Sequence, residues 1–451
     1  MNPNILLITT DQQRFDTIHA LGNQIIRTPH LDLLAREGIA FTRAYADCPM
    51  CIPARWTIMG GQRAATFGHA YYEDRVPLAV DPAKTVPGLL SRAGYQTQAM
   101  GKMHFWPLRA RYGFDNTRIL DDYYRHMAQH PEYGLPMRHG LGQNEFYPTS
   151  ATVHESRTLT AWTVDQSIDF LETRDPTAPF FLWTSFSKPH PPFDPPAPYD
   201  TMYQGKAMPQ PVQGDWLQRL HDTTGSSWDN RVHGDDAITG DTRDDALRAY
   251  YGLITQIDYN LGRLFARMYE LKLWDNTMIL FTSDHGEMLG DHCGFGKGSY
   301  FEGSAHVPFI IKPIKDSMAP AAKFIDTPVT HSDILPTIIS QVQDGAAILS
   351  GVQTDGINVL GTIDRECIQG EWAHTRHFIT DGRFKYLYHL NGGVELLFDL
   401  ESDPREEHDL SQAPGFQLDC ARLRQALCDR LQAVGIKTCR MARLYPHLSS
   451  H

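Results

Sequence analysis

Asn4-Ile5-Leu6-Leu7-Ile8-Thr9-Thr10 is an apolar run of strand length that stops abruptly at the polar pair Asp11-Gln12. Similar runs recur at Phe180 to Ser185 and Thr277 to Thr282, with a weaker one at Gln96 to Met100. Between them lie amphipathic stretches such as His30 to Glu37 and Ala246 to Leu271. Alternation of this kind predicts an α/β fold, a large mixed and mostly parallel sheet flanked by helices. In an open sheet of that class, ligands bind beyond the carboxyl ends of the strands. The residues at those ends are Asp11-Gln12, Lys102-Met103-His104, Lys188-Pro189-His190 and Asp284-His285. Four strand exits thus carry potential ligands or acid–base groups.

Farther along, the sequence changes character twice. From about Thr201 to Arg243 it is polar and without a clean period, although it holds Trp216 and Trp228, and it reads as a long surface excursion. After Asp364 come short pieces, His377 to Asp381, Phe384 to His389 and Glu395 to Asp399, with turn residues at Asp381-Gly382 and Gly392-Gly393. They predict a small antiparallel sheet, closed by an amphipathic helix over Gln417 to Val434. The expected organisation is a catalytic α/β domain over 1–364 and an α+β subdomain over 365–451, consistent with a chain of 451 residues.

A net charge of -12 argues against a protein built to grip nucleic acid or anionic lipid. No apolar stretch approaches the roughly 20 residues needed to span a bilayer, and no leader-like segment follows Met1, so a cytoplasmic protein without a membrane role is expected. Seven cysteines scattered through the chain do not read as a disulfide framework.

Cys51-Ile52-Pro53-Ala54-Arg55, continuing to Met59-Gly60-Gly61, predicts a helix that starts just past the cysteine. Residue 51 then faces a helix N-terminus, and Arg55 one turn on adds a cation, so an oxyanion is favoured there. Cys48-Pro49-Met50-Cys51 is also a Cys-x-x-Cys, but it lacks both a second zinc-ligand pair and the surroundings of a redox domain.

The Cys51–Arg55 motif resembles the signature of the formylglycine-dependent sulfatases of the alkaline phosphatase superfamily. Their other motifs follow in order: Asp11-Gln12, Gly101-Lys102-Met103-His104, Lys188-Pro189-His190-Pro191-Pro192, Ser283-Asp284-His285-Gly286-Glu287 through Lys297, and Leu397 to Pro404. The resemblance spans nearly the whole chain. It implies an alkaline-phosphatase-like fold and oxidation of Cys51 to formylglycine by a maturation enzyme. It further implies one divalent metal held by Asp11, Gln12, Cys51, Asp284 and His285. Calcium is the first expectation and manganese the alternative, because many relatives carry Asp and Asn where this chain has Gln12 and His285.

The catalytic set that the resemblance implies is Cys51, Arg55, Lys102, His104, His190 and Lys297. A hydroxyl of the formylglycine hydrate attacks sulfur, His190 or Lys297 protonates the leaving oxygen, and His104 deprotonates the second hydroxyl, with Arg55 and Lys102 holding charge. The expected reaction is hydrolysis of a sulfate ester of a small molecule or oligosaccharide. A sulfated sugar is expected ahead of an aryl or choline ester. Lys188, Arg109 and Tyr124 are candidate substrate contacts, the latter two from a segment, Phe105 to Tyr147, rich in aromatic and basic residues. A phosphonate monoester or phosphodiester hydrolase with the same nucleophile is the nearest alternative. A binding protein with unmodified Cys51 is a further one, and a homo-oligomer is compatible with the sequence.

Overall fold

The computed structural model of the protein describes residues 2–68, 75–78, 80–224, 240–315, 317, 323–372 and 375–433. The strands of its first part are β1 (Asn4–Asp11), β2 (Ile39–Phe41), β3 (Ala44–Tyr45), β4 (Gln96–Gly101), β5 (Asn116–Ile119), β6 (Phe180–Pro189), β7 (Thr277–Ser283), β8 (Phe309–Lys312), β9 (Phe324–Ile325) and β10 (Val329–Thr330). Eight form one mixed sheet in the order β5-β4-β6-β1-β7-β8-β2-β9, while β3 pairs with β10. The four runs expected as strands are β4, β6, β1 and β7, neighbours in the middle of that sheet and parallel to one another. The fold class expected from the sequence is therefore the one found.

Strand β1 is buried on both faces, and its side chains alternate between two cores. Leu6 and Ile8 pack on one side with the helices Pro29–Glu37, Leu159–Thr173 and Gly240–Glu270. Ile5 and Leu7 face the other side, where Ile52, Trp56 and Met59 of the helix Cys51–Gly60 meet Leu89 and Ile338. Covering both faces leaves only the strand ends open to a ligand.

A second sheet of four antiparallel strands, β11 (Ile368–Trp372), β12 (Arg376–Thr380), β13 (Phe384–His389) and β14 (Val394–Asp399), follows in simple order. The closing helix Gln417–Ala433 lays Leu423, Leu427 and Leu431 on it, against Ile379, Tyr386 and Leu397. Among these strands β11 was not foreseen. Arg376 Nη1 donates to Gly298 O at 2.9 Å and Lys385 Nζ to Glu302 Oε1 at 2.6 Å, which ties this sheet to the loop bearing Lys297.

The expected excursion between Thr201 and Arg243 is corrected by packing. Tyr203, Met208, Val212 and Trp216 are buried, Leu217–Thr224 is helical, and Arg243 lies within the helix Gly240–Glu270. Trp216 stacks on Phe301 with ring centroids 4.5 Å apart. Trp228 lies outside the described residues. Among the described residues no helix is long and apolar enough to cross a membrane.

Candidate active site

Strand register brings the polar exits together. Gly101 and Thr9 both pair with Ser185, and Thr10 pairs with Ser283, so the residues that follow leave the sheet at one level. Lys102 N donates to Ser185 O at 2.9 Å, and Asp284 N to Thr10 O at 3.1 Å. Gly101 has φ +88°, and a Cβ there would sit 2.1 Å from Ser185 O, so only glycine lets the chain turn at this point.

Onto this ledge the helix Cys51–Gly60 directs its N-terminus, beginning at the cysteine itself. Met50 makes no side-chain cap bond, Pro53 carries no N–H and Ala54 N donates to Met50 O at 2.9 Å, so the amides of Cys51 and Ile52 present the positive end of the helix. Arg55 is fully buried and clamps the strand ends. Its Nε donates to Asp284 Oδ2 at 3.0 Å, its Nη2 to Asp11 Oδ2 at 3.3 Å, and its Nη1 to Lys102 O at 2.7 Å and Ser185 Oγ at 2.8 Å. The guanidinium faces the carboxylates, not the cavity.

Asp11, Cys51, Asp284 and His285, all buried, bring one donor atom each within 4.8 Å of one another. Cys51 Sγ lies 3.1 Å from His285 Nε2 and 3.8 Å from Asp11 Oδ1. The His285 Nδ1–H donates to Gly286 O at 2.9 Å, which turns Nε2 toward the cluster. Burial raises the Asp284 carboxyl, and the facing Asp11 raises it further. Burial acts on Asp11 as well, but Lys102, His190, Arg55 and His285 together hold it well below the usual carboxylate range. A cation between two such carboxylates relieves their repulsion, and this donor set fits a divalent metal ion. Burial and Asp11 also work to raise the Cys51 thiol, yet Lys297, His285 and Lys102 outweigh them and hold it well below its ordinary value.

A second group stands beside the cluster, where Lys297 acts on Cys51 and His190 on Asp11. Lys297 Nζ donates to Gln12 Oε1 at 2.6 Å and lies 2.9 Å from His190 Nε2. His190 Nδ1 bonds to Pro191 O at 2.8 Å. Burial, then Lys297 and Lys102, hold the His190 imidazole well below its ordinary pKa. Lys102 Nζ pairs with Asp11, which keeps the ammonium charged despite its burial.

Cys51, Lys102, His104, His190 and Lys297 line a cavity of about 750 Å³. Its other walls include Leu108, Ile119, Tyr123, Tyr124, Leu159 and Leu253. Tyr124, singled out from the sequence, is part of this lining. Lys188 lines it too, but its ammonium is taken up by Asp194 and by Pro192 O at 2.6 Å. Arg109 is not brought to the cavity, because its guanidinium pairs with Asp121 at 2.5 Å and Asp122 at 2.7 Å.

Several site residues had no role in the sequence reading. Ser185 Oγ links Arg55 to Lys102 O, and Glu287 accepts a hydrogen bond from the Gln12 amide. Glu287 stood inside a quoted motif, so its position was visible while its partner, 275 residues away, was not.

The sequence model of the family described as Sulfatase matches residues 3–344. An arylsulfatase of Clostridium perfringens is 35% identical over 469 aligned residues, which cover 96% of this chain and 95% of that protein. A choline-sulfatase of Rhizobium meliloti is 28% identical, over 93% of this chain and 85% of its own. Among solved structures, the phosphonate monoester hydrolase of Agrobacterium radiobacter superposes with a TM-score of 0.79 at 25% identity, covering 96% and 95% of the two chains. With more than a third of its residues shared end to end with an arylsulfatase, the chain belongs to the sulfatase family and is a sulfuric ester hydrolase.

Proposed function

We propose that this enzyme hydrolyses the sulfate ester of a compact apolar alcohol or phenol, with residue 51, converted from cysteine to formylglycine by a maturation enzyme, as its nucleophile. The observation that carries this reading is the position of Cys51: at an uncapped helix N-terminus, 3.1 Å from His285 Nε2, and opening into a cavity lined by Lys102, His104, His190 and Lys297. The formylglycine hydrate supplies two hydroxyls on one carbon, one for attack on sulfur and one for the release of sulfate.

Asp11, Asp284, His285 and residue 51 would hold the metal, joined by the Gln12 oxygen through the lone pair that Lys297 does not use, with calcium first and manganese as the alternative. When bound, it supplies positive charge that stabilises the anionic nucleophile. Arg55 fixes Asp11 and Asp284 in place, while Lys102 neutralises Asp11 and faces the sulfuryl oxygens. Lys297 and His190 Nε2 share a proton at the end of the cavity where the leaving oxygen departs, and one of them protonates that oxygen. His104 lines the same cavity and takes the proton from the hydroxyl that remains.

Wall chemistry favours an aryl or alkyl leaving group over the sugar expected from the sequence. Besides its cations the lining includes Leu108, Ile119, Leu120, Tyr123, Tyr124, Leu159 and Leu253 as well as uncharged polar residues, and the further cation Lys188 is neutralised by Asp194. An aryl or alkyl group would bury its apolar surface against Leu108, Ile119, Leu120, Leu159 and Leu253, while Gln143, Asn144 and Gln256 of the same lining would serve any polar substituent that it carries. We extend the proposal to the organisation of the chain, with 1–364 as catalytic unit and 365–451 as an appended one, because the second sheet begins at Ile368.

A second reading, hydrolysis of phosphonate monoesters, is favoured by the superposition on the Agrobacterium enzyme. Two measurements separate these readings. Mass spectrometry of the peptide containing residue 51, from a host with a maturation system, should show the mass of the aldehyde. With the converted enzyme, kcat/KM for phenyl sulfate should exceed those for phenyl phosphonate and for glucosamine 6-sulfate. An unmodified thiol, or a preference for the phosphonate, would overturn the proposal.

A further inference from the structure

Gln12 has a planar amide with a donor at one end and an acceptor at the other, and nothing in its own chemistry decides which end faces the active site. Its backbone is left-handed, at φ +71°, and its side chain is buried between two charged groups. On one side Lys297 Nζ can only donate, so it needs the amide oxygen, and the contact is 2.6 Å. On the other side the amide nitrogen donates to Glu287 Oε2. The remaining oxygen of Glu287 accepts from the backbone N–H of Leu289 at 3.0 Å and from that of Gly296. All three of these bonds to Glu287 require it to be an acceptor.

We propose that Glu287 is a positioning residue that sets the polarity of the Gln12 amide and thereby aims Lys297 at His190. A carboxylate presents acceptors on both oxygens, so it satisfies the two backbone donors and still draws the amide nitrogen of Gln12 toward itself. The Gln12 oxygen is then forced to the opposite side, where it receives Lys297 Nζ and leaves that ammonium 2.9 Å from His190 Nε2. The same carboxylate anchors Leu289 and Gly296, and so holds the loop that delivers Lys297 one residue later. Residues in contact with site groups commonly fix their orientation in this way. The role assigned to Lys297 rests on the proposed function above, whereas the hydrogen-bond polarity does not.

A reciprocal exchange tests it. In Glu287→Gln the side chain keeps its shape, and its oxygen stays with the two backbone donors. Its new NH2 then faces the Gln12 amide and turns that amide over, so an NH2 group confronts Lys297. In Gln12→Glu two carboxylates face each other. In the double variant Gln12→Glu/Glu287→Gln, donor and acceptor are complementary again, and Lys297 regains an oxygen. Each single variant should weaken binding of inorganic sulfate, measured by calorimetry, by about 10- to 100-fold, the size expected for a lost charge-assisted hydrogen bond. The double variant should recover to within a few-fold of the parent and should regain its melting temperature. For a converted enzyme that turns over phenyl sulfate, kcat/KM should follow the same pattern. Additive losses in the double variant, in both sulfate affinity and melting temperature, would refute the role of Glu287. Should the parent enzyme hydrolyse no sulfate ester, the proposed function falls, and the binding and melting cycle still decides the polarity.

Discussion

Lys297 Nζ stands 2.9 Å from His190 Nε2, and the His190 Nδ1–H is occupied by Pro191 O, so the imidazole meets the ammonium through its lone pair. Burial first, and Lys297 next, keep that imidazole neutral well below its ordinary pKa. Replacing Lys297 by Met removes one cation but leaves the burial. The His190 pKa should therefore rise part of the way toward about 6.5. If His190 must be neutral in the free enzyme, the acid limb of the kcat/KM–pH profile will move to higher pH in Lys297→Met. A limb that stays in place would show that His190 does not set it.

Arg55 contributes through the four partners that it holds together. Lysine at this position keeps the charge but cannot reach Asp284, Asp11, Lys102 O and Ser185 Oγ from one rigid fork. Arg55→Lys should cost about 3 kcal/mol of stability, the scale for breaking a buried ion pair, and should lower kcat/KM at least tenfold. Denaturant titration and initial rates measure the two losses. A variant as stable as the parent would mean that the carboxylates repack around the ammonium.

Buried acids make stability depend on pH in a direction that can be worked out. Burial, then the neighbouring Asp333, raises the Asp47 carboxyl to about 7, while in the unfolded chain it titrates near 3.9. Between those values the native state holds a proton that the unfolded state has released, so this group's contribution falls as pH rises and levels off above about pH 7, where both states have lost the proton. Asp47→Asn removes the titration but keeps an acceptor for Ser332 N, now 3.1 Å from Asp47 Oδ2. Relative to the parent, the variant should gain about 2 kcal/mol between pH 5 and pH 8. Denaturant midpoints at the two pH values provide the check, and equal shifts at both would contradict the assignment.

The central strands were legible because long apolar runs are buried on both faces and end in polar residues that cannot follow them inward. Their register also made Asp11, Lys102 and Asp284 neighbours once the four runs lay side by side. Side-chain partners were less legible. Lys188 and Arg109 look equally available in the sequence, yet Asp194 takes up one and Asp121 with Asp122 the other. Trp216 reads as part of a polar excursion because Phe301 and Phe398, on which it packs, come much later in the chain. Strand β11 was missed because Gly370 and Glu371 break its apolar run. Gly370 is needed there, as a Cβ would sit 2.2 Å from Asp47 O.

Tyr124 and Arg109, equivalent candidates in the sequence, should now separate. Tyr124 lines the cavity and stays 42% exposed, so its ring is available to a leaving group, while Arg109 is engaged with two aspartates outside the cavity. Tyr124→Ala should raise KM for phenyl sulfate about tenfold, as expected for the loss of an aromatic contact, with a smaller effect on a short alkyl sulfate. Arg109→Ala should leave both KM values within about twofold and cost at most about 1 kcal/mol of stability, because exposed ion pairs contribute little. Steady-state kinetics on the two esters decides the matter. If the variants changed in the opposite order, the leaving group would have to lie over the Arg109 side of the segment, and the apolar wall would lose its role in substrate selection.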